Sequence, residues 1–504
     1  MTPKVSVLVP DGADEQRLGR TVASLARQGD VDWQVVAVAA ARGGKVAPTD
    51  RRVVRIPVAA GGEDPGTRLE AARRHADGEL VGVLQAGDEL EPGALRSALT
   101  VLDAAPDAAA VYTDEQWPDS GVDGIATKPD FLPHYLESYP YIGRLWLVRR
   151  EVLEQVGGFR PGLGSATEWD AQLRVAEHGA RTVHAPVVAV TRLSAPGTAA
   201  ADSADCLKVA AARRERSGRR GRVELADVPL GVRTWWEPDE APLVSIVIPT
   251  AGQSRLVRGR DTVLVEHCVA SILERTTYSR WEIVLVTSAH TPGAVVDRLR
   301  GTLGDRLVVA PIDGPFNFSA SVNEGARAAR GDLLLLLNDD TEVLEPRWLD
   351  RMVSVASDPR VGAVGAKLLF EDGRIQHVGI TVNDARVPMH PLIFEPDGPG
   401  RFGTKALDVD WEAVTGACLL TPADVFAEVG GFTTELPLNF NDVDFCLKVR
   451  ARGRDVVTTP FARLVHFESS SRVAVLDESE QRFVDRHWGL RLAADPHVEY
   501  RSDL

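Results

Sequence analysis

Residues 333–343 read LLLLLNDDTEV, so five leucines run directly into Asn338, Asp339 and Asp340. Two close carboxylates repel one another unless a cation stands between them, and a hard divalent cation with oxygen ligands removes that conflict. Such a cation can then neutralise a diphosphate leaving group. The triplet alone is weak evidence, because Asn and Asp are also common turn formers. Two further stretches give it weight. LNFNDVDFCLKVRARG (438–453) sets Asp442 and Asp444 at the start of a helical pattern. Helix N-termini favour acids, so capping competes with chemistry at Asp444, while Asp442 precedes it and can face a cleft as a general base. PFARLVHFESSSR (460–472) carries His466 at the end of an alternating apolar stretch, before a serine-rich loop. A lone histidine is more often structural, but the acidic cluster in the same half makes it a candidate metal ligand.

Groups this far apart in sequence can meet only if the fold gathers strand ends. The chain repeats itself in a way that supplies such a fold. VSVLVP (5–10) recurs as VSIVIP (244–249), TVASLARQ (21–28) as CVASILER (268–275), and VGGF at 156–159 and 429–432. Pro186 and Pro460 close two copies of one pattern, and at the same spacing Asp170 answers to Asp444. In each copy short apolar runs alternate with helical patterns, which implies an α/β protein with a mainly parallel sheet and helices on both faces. In such sheets ligands sit beyond the carboxyl ends of the strands. We therefore expect two tandem copies of one α/β domain, at 1–225 and 243–504, joined by the Pro- and acid-rich segment 226–242.

Composition narrows the function classes. The 504 residues carry a net charge of −15, which disfavours a polyanionic partner, so no nucleic acid is expected. The four cysteines, Cys206, Cys268, Cys418 and Cys446, form no C-x-x-C pair, which argues against a zinc site or redox dithiol and suits a reducing compartment. No run approaches the ~20 apolar residues of a membrane span, and the N-terminal apolar run is short and followed by acids. The expectation is a cytoplasmic protein. The basic stretch RRERSGRRGR (213–222) reads as a solvated helix end, and it leaves open a peripheral contact with the inner face of a membrane.

VSIVIPT, PFNFSASVNEGARAARGDLLLLLNDDTEV, VGAVGAKLLFEDGRIQHVGI, AVTGACLL, VGGF and FNDVDFCLKVRARG followed by TTPFARLVHFESSSR together resemble a family 2 glycosyltransferase. The likeness extends to two-domain, rhamnosyltransferase-like enzymes of bacterial surface polysaccharide assembly. It covers nearly all of 243–490 and, more weakly, 1–200. The resemblance implies two tandem GT-A-like, Rossmann-related domains, a UDP- or dTDP-sugar donor, a divalent metal (Mg or Mn), and a glycan or lipid-linked glycan acceptor attacked with inversion at the anomeric carbon. Carried over by position, Asn338, Asp339 and Asp340 occupy the D-x-D site, with Asp340, Asn338 and His466 on the metal. Asp442 matches the base, and Pro249, Thr250, Thr287, Asn323 and the acidic triplet border the donor. Thr287 departs from the family pattern, which commonly has Asp there; Thr can hydrogen-bond the nucleotide but carries no charge.

The first copy lacks these groups. Its D-x-D place reads LQAGDEL, with Gln85 and Gly87 for the acids and Asp88 beside them. Glu168 stands for Asp442, and Arg192 for His466. An arginine has no lone pair to give a metal, so the first domain is expected to be non-catalytic. Two other readings stay open: a non-catalytic nucleotide- or glycan-binding scaffold, and a sugar nucleotidyltransferase. The latter needs a basic, Gly-rich signature where VPDGADEQRLGR is acidic.

Overall fold

A computed structural model describes residues 4–11, 14–39, 50–57, 63–117, 124–193, 200–383, 387–467 and 478–492. The serine-rich stretch after His466 lies outside the described residues. The chain divides into two compact units, chiefly Met1–Gly218 with Val223–Thr234, and Arg219–Arg222 with Trp235–Ser502.

Each unit is built on one large mixed, mainly parallel sheet. In the second unit the strands lie in the order Leu307–Pro311, Trp281–Thr287, Val244–Thr250, Leu333–Leu337, Cys418–Pro422, Val361–Leu369, Asp455–His466, Thr341–Val343. In the first unit the order is Val53–Pro57, Trp33–Ala39, Val5–Val9, Leu80–Val83, Leu147–Arg149, Ala108–Gln116, Arg181–Thr191, Glu89–Leu90. The two orders correspond strand for strand, so the sequence repeat is a repeat of topology. Both units are consistent with a GT-A-like fold.

The alternation of strand side chains explains the apolar runs. Val244, Ile246, Leu333, Leu335 and Leu337 enter one core layer, while Val247, Leu334 and Leu336 enter the layer on the opposite face. A strand buried on both faces reads as a continuous apolar run, which accounts for the five leucines. The helix Phe318–Ala328 closes onto the second face through Gly325, where a Cβ would lie 2.3 Å from Val247 Cγ1. Any side chain there would push the helix off the sheet.

The basic stretch is not simply a solvated helix end. Arg213 is buried and pairs with Glu137 and Glu177, and Arg216 pairs with Asp170 and Glu177. These contacts are internal to the first unit. Among the described residues no helix is long and apolar enough to cross a membrane.

Candidate active site

Parallel register aligns the strand ends of the second unit. Val244 pairs with Leu333 and Thr250 with Thr287, so Pro249, Thr250, Thr287 and Asn338 stand at the same carboxyl end of the sheet. After Leu337 the chain turns through Asn338–Asp340 and re-enters the sheet as Thr341–Val343. That short strand pairs antiparallel with Leu464–His466, which sets Thr341 opposite His466. The Phe467 N–H donates to the Asp340 carbonyl at 2.8 Å. This crossing is what delivers a residue more than 120 positions away to the acidic triplet.

The resulting cluster is rich in acceptors. His466 Nε2 lies 3.1 Å from Asp340 Oδ1 and 3.2 Å from Asn338 Nδ2. Its Nδ1 lies 2.7 Å from Gln376 Oε1, so Nδ1–H donates to the amide oxygen, and when the ring is neutral its Nε2 lone pair faces Asp340. A lone pair facing a carboxylate is unfavourable until a proton or a metal cation joins them. Asn338 Oδ1 is buried and has no hydrogen-bond partner among the described residues. Asp339 Oδ2 accepts from Thr250 Oγ1 at 2.6 Å. Burial, together with the neighbouring Asp340 charge, pushes the Asp339 carboxyl up to about 6. Burial also works against ionised Asp340, but His466 beside it, with the proton on Nε2, holds it below the usual range. Among the described residues no lysine or arginine pairs with Asp339 or Asp340; Arg255 acts on Asp340 only from further off. A carboxylate, an imidazole lone pair and an orphaned amide oxygen with too little positive charge around them fit a divalent cation.

Asp442 and Asp444 separate cleanly. Both lie in the first turn of the helix Asn441–Ala451. Asp444 is buried and consumed: it accepts from Trp488 Nε1 at 2.8 Å and Thr433 Oγ1 at 2.7 Å and pairs with Lys448 at 3.0 Å. Asp442 is half-buried, and among the described residues it accepts only backbone N–H groups, Gly416 at Oδ2 (2.9 Å) and Val443 at Oδ1 (2.8 Å). The turn that holds it also holds the acidic triplet, because the Asn338 N–H donates to the Ala417 carbonyl at 3.0 Å. Asp442 and Asn338 thus flank one turn, Thr415–Ala417, at the start of the strand Cys418–Pro422.

Not every expected donor contact is free to make one. Both amide atoms of Asn323 are engaged with the Phe432 backbone, at 2.8 and 2.9 Å. Asn323 clamps the VGGF turn, in which Gly431 has φ 67° and leaves no room for a Cβ beside Asn323 Oδ1. Thr287 is buried at its strand end, and the Ile312 N–H donates to its carbonyl at 2.8 Å. Gln376 and the Thr415–Ala417 turn carried no role in the sequence reading. Gln376 sits inside a quoted motif, but nothing in a strand pattern names its partner.

The corresponding strand ends of the first unit are filled by the protein's own cations. Arg192 pairs with Glu115 at 2.9 Å, Lys128 lies 3.6 Å from the same carboxylate, and Arg144 lies 3.3 Å from Asp88 and pairs with Glu168. Where the second unit gathers unneutralised acceptors, the first has a closed ion-pair network. Burial opposes ionisation of Glu115, yet Lys128 and Arg192 hold it down at about 2, from an ordinary 4.5. A depressed carboxyl contributes stability that is complete above its unfolded value and disappears as pH falls. The first unit should therefore lose on the order of 3 kcal/mol between about pH 4.5 and 2. Urea unfolding of wild type and Glu115→Gln across that range checks this: the variant should be the weaker at pH 7, and the gap should close toward pH 2.

Comparison with known proteins fits this architecture. The family model described as "Glycosyltransferase like family 2" matches residues 3–217 and again 241–485. An uncharacterised protein of Sinorhizobium fredii is 33% identical over 98% of this chain and 57% of its own length. The O-antigen biosynthesis protein RfbC of Myxococcus xanthus is 34% identical over 94% of this chain and 38% of its own. The N-acetylglucosaminyl-diphospho-decaprenol L-rhamnosyltransferase of Mycobacterium tuberculosis is 28% identical over 34% of this chain and 65% of its own. The chain thus spans only 57% and 38% of the two relatives that match nearly all of it.

Proposed function

The chain belongs to glycosyltransferase-like family 2, and from that premise we propose that its second unit is a metal-dependent, inverting glycosyltransferase. It moves a sugar from a nucleotide-sugar donor, UDP- or dTDP-linked, to a hydroxyl of a glycan or lipid-linked glycan in cell-envelope polysaccharide assembly. The rhamnosyltransferase and O-antigen relatives support a hexose or deoxyhexose and a surface-polysaccharide acceptor. The first unit is a non-catalytic partner domain.

One observation carries this reading: the second unit brings Asn338, Asp340 and His466 together, and among the described residues no lysine or arginine pairs with Asp340, whereas the first unit fills the matching place with Arg144, Lys128 and Arg192. Asp340, His466 and Asn338 would hold Mg or Mn. When bound, the metal supplies positive charge to the leaving diphosphate, worth several kcal/mol by order of magnitude. Thr250 orients Asp339 at the donor edge, with Pro249 and Thr287 beside it. Asp442 takes the proton of the acceptor hydroxyl as that oxygen attacks the anomeric carbon. The Gly416 and Val443 N–H groups each hold one of its oxygens, which fixes the carboxylate while leaving the group half-exposed to an incoming acceptor. In-line attack opposite the leaving diphosphate inverts the anomeric centre.

The test is a panel of UDP-, dTDP- and GDP-sugars with Mn2+ or chelator, read by thermal shift and by release of nucleoside diphosphate. A true donor should stabilise the second unit by about 2.7 kcal/mol at 100 Kd, and release should require the metal. Specific binding with no turnover over a broad acceptor panel would instead make the chain a scaffold.

A further inference from the structure

The short strand Ile375–His377 puts two polar side chains next to each other, and each supports a different half of the site. Gln376 is buried, and its Oε1 accepts from His466 Nδ1–H at 2.7 Å. His377 is buried too, and its Nε2 accepts the Thr415 N–H at 3.3 Å. Its Nδ1 lies 2.9 Å from His390 Nδ1, and because Nε2 is the acceptor, Nδ1 carries the proton and donates. Burial, with His390 and His466 nearby, holds His377 well below its ordinary value, so it stays neutral in this role. The Thr415 amide belongs to the turn whose Gly416 N–H binds Asp442 and whose Ala417 carbonyl accepts from Asn338. Successive strand residues face opposite ways, so a dipeptide can serve both supports at once.

We propose that Gln376 and His377 are paired positioning residues. Gln376 fixes the tautomer and ring orientation of His466, and His377 fixes the turn that seats Asp442. This rests on the functional reading above and adds two residues to it. The first unit offers an internal comparison. Its matching strand is Ile125–Ala126, paired to Ala108–Gln116 as Ile375–His377 is to Val361–Leu369. The unit that lacks the histidine and the acids therefore also lacks the amide and the imidazole behind them. Outer partners that orient a metal-bound histidine commonly change metal affinity by about 10–100-fold.

Mn2+ binding to the full chain, measured by titration calorimetry without donor, separates the two roles. Gln376→Met keeps the volume and removes the acceptor, and it should weaken Mn2+ about 10–100-fold. Gln376→Glu restores an acceptor oxygen and should return affinity to within a few-fold of wild type. His377→Met should lower kcat and leave the donor KM unchanged, weakening Mn2+ only about a few-fold because the same turn also holds the Asn338 backbone, and His377→Gln, which can still accept the Thr415 amide, should recover both. Wild-type affinity in Gln376→Met overturns the proposal alone. So does an equal loss of Mn2+ binding in His377→Met, because the two roles would not be separate. No Mn2+ binding by the wild-type chain overturns the metal reading itself, and this proposal with it.

Discussion

Asp442→Asn is expected to lower sugar transfer by about 10²–10⁴-fold, the usual worth of a positioned base, with Mn2+ and nucleotide affinity close to wild type. The asparagine keeps the shape and can still accept the Gly416 N–H, so the turn that also holds Asn338 should stay in place. What it loses is the capacity to take a proton. The neighbouring acid makes the control. Asp444 is enclosed by Trp488, Thr433 and Lys448 and has no oxygen to spare. Asp444→Asn should therefore destabilise the second unit by about 3–5 kcal/mol, as for a broken buried charge pair, and lower its melting temperature accordingly. The catalytic rate of the protein that remains folded should change little. Full activity in Asp442→Asn would remove it as the base, and a rate collapse confined to Asp444→Asn would exchange the two assignments.

The parts of this site that sequence made legible are those written in local pattern. Five leucines ending at Asn338 declare a strand buried on both faces and its terminus. Asp442 and Asp444 declare a helix start, and the repeat declares that the topology occurs twice. Helix-start pattern already favoured Asp442 over Asp444 as the candidate base, but it could not name Trp488 and Lys448, the partners that engage Asp444. Long-range partners stayed hidden for a physical reason. Strand alternation says which face a residue occupies but not which distant side chain arrives there. Gln376 meets His466 across 90 positions, and the clamp between Asn323 and Phe432 spans 109. The same limit applies in the first unit. Arg192 was visible as a substitute for the histidine, but Arg144 and Lys128 fall in no quoted motif. Their presence turns a list of missing ligands into a closed ion-pair network.

Asp340→Asn should remove metal dependence and most of the activity together. Losing several kcal/mol of charge stabilisation on the leaving group corresponds to about 10²–10³-fold in rate. The same change should appear in how metal binding depends on pH. In the metal-free wild type, burial and then the Asp340 charge push Asp339 up to about 6, from an ordinary 3.8. The folded state therefore holds a proton that the unfolded chain has already released. Between those values stability falls as pH rises, because the native state binds the extra proton. A divalent cation on Asp340 and His466 opposes that proton. Mn2+ affinity should thus rise by up to about tenfold per unit as pH increases toward 6 and level off above it, and Mn2+ should raise the melting temperature more at pH 7 than at pH 5. In Asp340→Asn the neighbouring negative charge is gone and only burial still lifts Asp339. Its titration should move down, and the pH dependence of any residual Mn2+ binding should flatten near 6. Calorimetric titration of both proteins at several pH values checks this directly. Unchanged Mn2+ affinity in the variant would move the metal away from the acidic triplet, and a wild-type affinity independent of pH would remove Asp339 from the linkage.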